Sequence, residues 1–324
     1  MRPSYPLAAC ALALACATPP LHAQAFASKT MRIIVPFAAG GAVDQLARIL
    51  AKNLSEDAAW GQPVLVENRP GGGAMIGTDH VAKSAPDDHT IGLVAASYVI
   101  QPILQSKMPF DIFRDLQPVT LATWQPHVLV VHPSVPAQSV QELISYARAN
   151  PGKLGFASVG PGSGQHLSGE TFKSMAGVDI VHVPFQGSAP AVNAMLGGHV
   201  GMMIGALPDV QPHIRSGKMR VLAVASLDRV VSLPDVPTVN ESGLKGFESI
   251  AWFGFVAPSA VPRPVIGQIQ SGLVRQMQKP DVREQLVVLG MNVRGSTPEE
   301  YGAVLKADYA KFARIAKIAN VKID

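Results

Sequence analysis

The chain has 324 residues, 48% hydrophobic and only 15% charged, with a net charge of +4. That length and apolar content can build two lobes, each with its own core. The small basic surplus forms no block and no aromatic-interleaved patch, so it reads as a solvated surface and does not argue for nucleic acid.

Residues 1–25 have the layout of an export signal. Arg2 is the only Lys, Arg, Asp or Glu before Phe26. Residues 7–17 are apolar but too short to span a bilayer. Ala23-Gln24-Ala25 places small residues for cleavage after Ala25, with cleavage after Ala23 as the alternative. Pro19-Pro20 argues against a buried helix here. Both cysteines, Cys10 and Cys16, lie in this segment. The processed chain is therefore expected to have no thiol, disulfide or Cys-bound metal. Leu7-Ala8-Ala9-Cys10 resembles a lipobox, a minor alternative. No later segment is apolar enough to cross a membrane.

After Phe26, short apolar strands alternate with helical patterns. Residues 32–36 predict a buried strand, followed by Gly40-Gly41. Val43, Leu46, Ala47, Leu50 and Leu54 then fall on one helix face. Strands are predicted at 64–67, 91–95, 128–131, 154–157, 180–183, 202–204 and 221–225. Their mostly apolar runs suit parallel strands covered on both faces. Ser139 with Glu142 predicts a capping box, and Asn150-Pro151-Gly152 ends that helix. Ser188 is placed to cap a helix over 190–196. Thr297 and Glu300 open a last helix carrying Tyr301, Val304, Leu305, Phe312 and Ile315 on one side. The alternation predicts an α/β fold of right-handed βαβ units. No linker or internal repeat divides it. The expected division is 26–126 plus 250–324 as one lobe and 127–249 as the other.

In such sheets ligands sit beyond the carboxyl ends of strands, at loops entering helices. Two such loops stand out: Pro36 through Asp44, with Phe37, Ala39, Gly40 and Gly41, and Ser158 through His166, with Ser163 and Gly164. Glycines admit close approach, and free N–H groups at a helix start attract anions. The same glycines also make tight turns, and a histidine near a helix start, as His166 is, is more often a packing or capping residue than a base. A third segment offers Phe185 as a wall, Gln186 as a hydrogen-bonding side chain and Gly187; Ser97, beyond the 91–95 strand, joins the candidates. Trp252-Phe253-Gly254-Phe255 reads as core or hinge packing. Gly160, Gly162 and Gly164 give G-x-G-x-G and not the dinucleotide pattern. No metal-binding histidine pair and no G-x-S-x-G elbow occur. Neither catalysis nor a cofactor is expected.

These residues resemble the Bug family, periplasmic receptors of tripartite tricarboxylate transporters. The resemblance is carried by Val35-Pro36-Phe37-Ala38-Ala39-Gly40-Gly41 with Asp44, Val66-Glu67-Asn68-Arg69-Pro70-Gly71, His182-Val183-Pro184-Phe185-Gln186-Gly187, Leu233-Pro234-Asp235-Val236-Pro237-Thr238 and Trp252-Phe253-Gly254. It implies a two-lobed, Venus-flytrap fold of the type II periplasmic binding protein class. It implies that the first two loops hold a ligand carboxylate through amides, hydroxyls and bridging waters, using Phe37, Ala39, Gly40, Ser158, Ser163 and Gly164. It also implies a periplasmic protein that serves inner-membrane transporter subunits, and a monomer is expected. A sensor for a signalling partner is the alternative role, and a secreted α/β hydrolase a weaker one. Gln186 stands where the family usually has lysine. Gly205 stands where amino-acid-binding members tend to have an aspartate, so a dicarboxylate or aromatic acid is expected rather than an amino acid. Asp87-Asp88-His89 departs from the usual Asp-Gly-Tyr at an expected surface turn.

Overall fold

The computed structural model describes residues 29–87, 89–230 and 232–318, so the export signal and lipobox lie outside the described residues. β1 (Met31–Val35) is almost wholly buried and pairs in parallel with β2 (Val64–Asn68) and β3 (Thr90–Val94). Between β1 and β2, α1 (Ala42–Ser55) lays Leu46, Ala47, Leu50 and Leu54 against the sheet. Each fully buried leucine contributes about 1.5–3 kcal/mol. α2 (Met75–Ala82) and α3 (Ser97–Leu104) follow β2 and β3 on the other face.

β4 (Leu116–Val131) is the axis of the molecule. Residues 116–126 pair antiparallel with β9 (Ile250–Pro258), and 127–131 pair antiparallel with β7 (Met202–Ala206). The sheet path is β2-β1-β3-β9-β4-β7-β5-β6, with β8 (Arg220–Val224) and β10 (Asn292–Val293) also on β4. β5 (Gly155–Ser158) pairs in parallel with β6 (Val181–Pro184) and β7. A second core forms there with α4 (Val140–Ala149) and α5 (Gly164–Ala176). α6 (Ser188–Leu196) and α7 (Leu207–Arg215) complete that half. α8 (Arg263–Gln278), α9 (Pro280–Val288) and α10 (Pro298–Ile318) return to the first half.

The fold is thus α/β with helices on both faces, but the sheet is mixed. The strands expected at 128–131 and 221–225 run antiparallel to their neighbours, because β4 is entered from the opposite direction. Apolar runs report burial on both faces, which this antiparallel strand shares. β4 also begins far earlier than expected. Pro118, Gln125 and Pro126 mask its extended character in sequence, although Gln125 is fully buried.

The caps refine the sequence reading. Thr297 and Glu300 form the reciprocal box: Glu300 N–H donates to Thr297 Oγ1 at 3.2 Å, and Thr297 N–H to Glu300 Oε2 at 3.0 Å. Ser139 accepts from Glu142 N–H, but the Glu142 carboxylate is taken by Gln138 N–H. Ser188 is no cap. Gly187 is the N-cap of α6, and the Ser188 hydroxyl is directed elsewhere. Gly254 in β9 lets Tyr301 of α10 approach, since a Cβ there would lie 2.3 Å from its ring.

Candidate ligand-binding cleft

The carboxyl ends of β1, β3 and β5 deliver their chains into α1, α3 and α5, and all three helix starts face one cavity. Gly41, Val43 and Asp44 line it from α1, Ser97 from α3, and Ser163, Gly164 and Gln165 from α5. His127 of β4 and Ala251, Trp252 and Phe253 of β9 line it from the crossing strands. The cavity proper is small, about 30 Å³, and the space is about 520 Å³ when the solvent at its open side is counted. Among the described residues, no Lys or Arg lines it. What it offers an anion is the partial positive charge and the free first-turn amides of helices. Ser97 adds a hydroxyl that is 2% exposed and makes no hydrogen bond to the protein.

The α1 loop is built around Asp44. Its Oδ2 accepts Gly40 N–H at 2.9 Å and Arg48 Nε at 2.9 Å, and its Oδ1 accepts Asn68 Nδ2 at 2.9 Å. Asn68 also donates to Phe37 O at 3.1 Å, which ties the second sequence motif to the first. Burial acts to raise the Asp44 pKa, but the bonds from Arg48, Gly40 and Asn68 outweigh it and hold the carboxyl below its usual range. Asp44 therefore lines the cavity as a neutralised brace.

The α5 loop is braced by histidines. Gly162 N–H donates to His166 Nδ1 at 3.1 Å, and His166 N–H donates to Ser163 Oγ at 3.1 Å, the cap of α5. Ser158 Oγ meets His182 Nε2 at 2.6 Å. The His166 and His182 rings stack with centroids 3.9 Å apart. Burial pushes His166 down to about 4; burial, then its stacked neighbour, pushes His182 down to about 3. Both stay neutral, as two adjoining imidazolium rings would repel. His127, also held near 3 by burial, bonds Ser249 Oγ through Nδ1.

Of the residues singled out in sequence, Phe37, Gly41, Asp44, Ser97, Ser163 and Gly164 line this cavity. Gly40 edges its outer lip. Phe185 and Gln186 line an adjoining recess with Pro36 and Phe37. Gly187 sits where the two loops touch: a Cβ there would be 3.1 Å from Ala38 N. Ala39 is exposed, while Ser158 and His166 stand buried behind the loop. Gly205 lies within β7, buried beside Met203 and away from the lining.

Whatever Gly205 implies for the ligand, the cleft holds a second carboxylate besides Asp44: Asp209, four residues after Gly205, lines the cavity. Its signal in sequence was that of a helix start, Leu207-Pro208-Asp209, which concealed it. Asp209 Oδ1 accepts Ala42 N–H at 2.7 Å and Oδ2 accepts the Ser188 hydroxyl at 2.8 Å. Burial pushes it up to about 6, against the lowering effect of those two bonds. His127, within a strand, and Ser188, read in sequence only as a helix cap, also line the cavity.

Residues 46–321 match the model for the tripartite tricarboxylate transporter family receptor. The chain belongs to that family. It is 39% identical over 308 residues to a UPF0065 protein in the tcbD-tcbE intergenic region of Pseudomonas sp. strain P51, covering 94% of this chain and 91% of that one. It is 35% identical over 306 residues to BugT of Bordetella pertussis, covering 94% and 93%. Among solved structures, an adipate-bound R. palustris protein superposes with a TM-score of 0.87 at 32% identity, covering 91% of this chain and 98% of that one. MatC from Rhodopseudomonas palustris, with bound malate, gives 0.85 at 30%, covering 89% and 99%. The receptor therefore has the two-lobed periplasmic binding protein fold, and it is a binding protein and not an enzyme.

Proposed function

We propose that this receptor closes its two lobes on a small organic carboxylate and delivers it to an inner-membrane transporter of the tripartite tricarboxylate type. The observation that carries this reading is the meeting of the α1, α3 and α5 starts, from both halves, on one cavity without a cation and with the Ser97 hydroxyl unpartnered. Backbone amides at helix starts bind carboxylates well in such a setting. The adipate and malate bound to its structural relatives support the ligand class. The lobes divide as 26–126 with 250–324 and 127–249, supported by the change of β4 from β9 to β7 at residue 127. The ligand carboxylate lies between the Phe37–Asp44 loop and Ser163-Gly164. Export with cleavage after Ala25 or Ala23 places the receptor, as a monomer, in the periplasm.

A dicarboxylate or aromatic acid remains favoured over an amino acid, on different ground from Gly205. Both oxygens of Asp209 already accept hydrogen bonds, so no ammonium is needed there, and Phe37, Val159 and Phe253 give the cavity apolar walls. A thermal-shift panel of dicarboxylates, aromatic acids, amino acids, sugars and inorganic cations tests this. Adipate, malate or an aromatic acid is expected to raise the melting temperature. Stabilisation by sugars or cations alone overturns the carboxylate reading, and tight binding of glutamate or aspartate overturns the narrower one.

A further inference from the structure

Among the described residues, three hydrogen bonds join the loops on the two walls of the cleft, apart from the Lys311–Glu248 ion pair at 2.6 Å that joins the halves beside the crossing strands. Ala38 N–H donates to Gln186 O at 3.1 Å, Gln101 Nε2 to Pro161 O at 2.5 Å, and Ala42 N–H to Asp209 Oδ1 at 2.7 Å. Only the third is made by a charged side chain. Asp209 projects from the first turn of α7, where Ser188 of the same half fixes its second oxygen. Ala42 is the first helical residue of α1 in the opposite half. Among the described residues, no Lys or Arg lines either the cavity or the outer lip beside Asp209. The other charged or titratable groups there are Asp44, already paired with Arg48, His127, held neutral by burial, and His213 one turn along α7. Asp209 thus has only neutral donors, one of them supplied by the other half and only when the cleft is shut. α1 has no side-chain cap of its own.

We propose that Asp209 is the latch of the cleft, an internal carboxylate that caps α1 from the opposite half and sets how far the ligand-free receptor opens. A carboxylate at a helix start meets the partial positive charge of the helix and an orphan N–H together. Because the protein fills that one N–H itself, the ligand carboxylate meets the other amides of the Phe37–Asp44 loop, the start of α5 and Ser97. Asp209 is in this sense a positioning residue. The latch rests on the cross-cleft bond and holds whatever ligand class the cleft takes.

The donor can be removed without disturbing the helix that carries it. Proline is favoured at the first helical position, and Gly41 before it has φ −81° and ψ 171°, which a following proline accepts. Amide hydrogen exchange is compared in ligand-free wild type, Asp209→Ala, Ala42→Pro and the double variant. Each single variant is expected to speed exchange in residues 37–45 and 186–192 about tenfold, with α4 unchanged. The double variant is expected to be no faster than either single one, because both remove the same contact. Unchanged exchange in those two segments, or effects that multiply in the double variant, overturns the latch. If Asp209→Ala also loosens α4, it has damaged the fold, and Ala42→Pro alone decides by the same criterion. Adipate is added in parallel to the wild type. Its failure to stabilise counts against the carboxylate reading and leaves the exchange result standing.

Discussion

Asp44 and Asp209 are both carboxylates on the cleft wall, and their partners give them opposite character. Asp44 has a cation and two further stabilising bonds; Asp209 has neutral donors alone. Asp44→Ala leaves Gly40 N–H, Asn68 and Arg48 without their common acceptor, so a stability loss of about 1–3 kcal/mol is expected in urea unfolding. Ser97→Ala should act differently. It removes a buried hydroxyl that has no protein partner, so the melting temperature of the free protein should hold or rise while the shift produced by adipate falls. A loss of stability without a loss of ligand response would assign Ser97 to the core. The histidines set a pH dependence. His127, His166 and His182 titrate near 3 to 4 when folded and near 6.5 when unfolded, so the unfolded chain binds more protons between those values. Their contribution is present above pH 6.5 and lost as the pH falls toward 4. Asp209, raised to about 6 from 3.8, acts the other way, its contribution being lost as the pH rises through 6. Three imidazoles outweigh one carboxyl, so the urea midpoint should drop between pH 7 and pH 4.5, and a midpoint that climbs on acidification contradicts the neutral histidine stack.

At the level of elements, the cleft is a meeting of helix starts, and the start of α5 is its most sensitive part. A Cβ at Gly164 would rest 3.5 Å from both Ala96 Cβ and His127 Cε1, an ordinary contact distance. Gly164→Ala is thus tolerated sterically, and it gains up to about 1 kcal/mol from helix propensity. The same methyl enters the cavity. The expected result is an unchanged or higher melting temperature with about tenfold weaker binding of the acid that best stabilises the wild type, measured by calorimetry. Gly205→Asp belongs to the element scale too. Its Cβ would meet only the movable end of Met203, at 3.0 Å, but the change buries a carboxylate inside β7, so it should destabilise the sheet and give no new affinity for amino acids. Periodicity located α1 because its apolar face repeats cleanly. It did not locate α3 or α7, where Pro102, Pro208 and Pro212 interrupt the pattern and neighbouring elements supply the burial.

Across the whole molecule, β4 and β9 couple the halves, and ligand binding must act through the distance between them. A ligand held by both walls stabilises the closed form by its differential affinity, and at a hundredfold excess over its Kd it adds about 2.7 kcal/mol to unfolding. No cluster of three or more metal-ligating side chains occurs among the described residues. Excess EDTA is therefore expected to leave the carboxylate-induced thermal shift unchanged, and a shift abolished by EDTA would bring a metal into recognition.

The sequence alone determined the α/β class, the two glycine loops and the family, because these depend on local apolar runs, turn residues and motif order. Phe37, Gly41, Ser163 and Gly164 were legible for that reason. Tertiary structure decided what faces what. Asn68 proved to brace the first loop from another strand, and His166 and His182 proved to be a neutral stack behind the second. Asp209 reads locally as an ordinary acidic residue in the first turn of a helix. Its position against Ala42, 167 residues away, exists only because β4 folds one half over the other. Short-range pattern cannot encode a contact whose two partners are joined through the sheet.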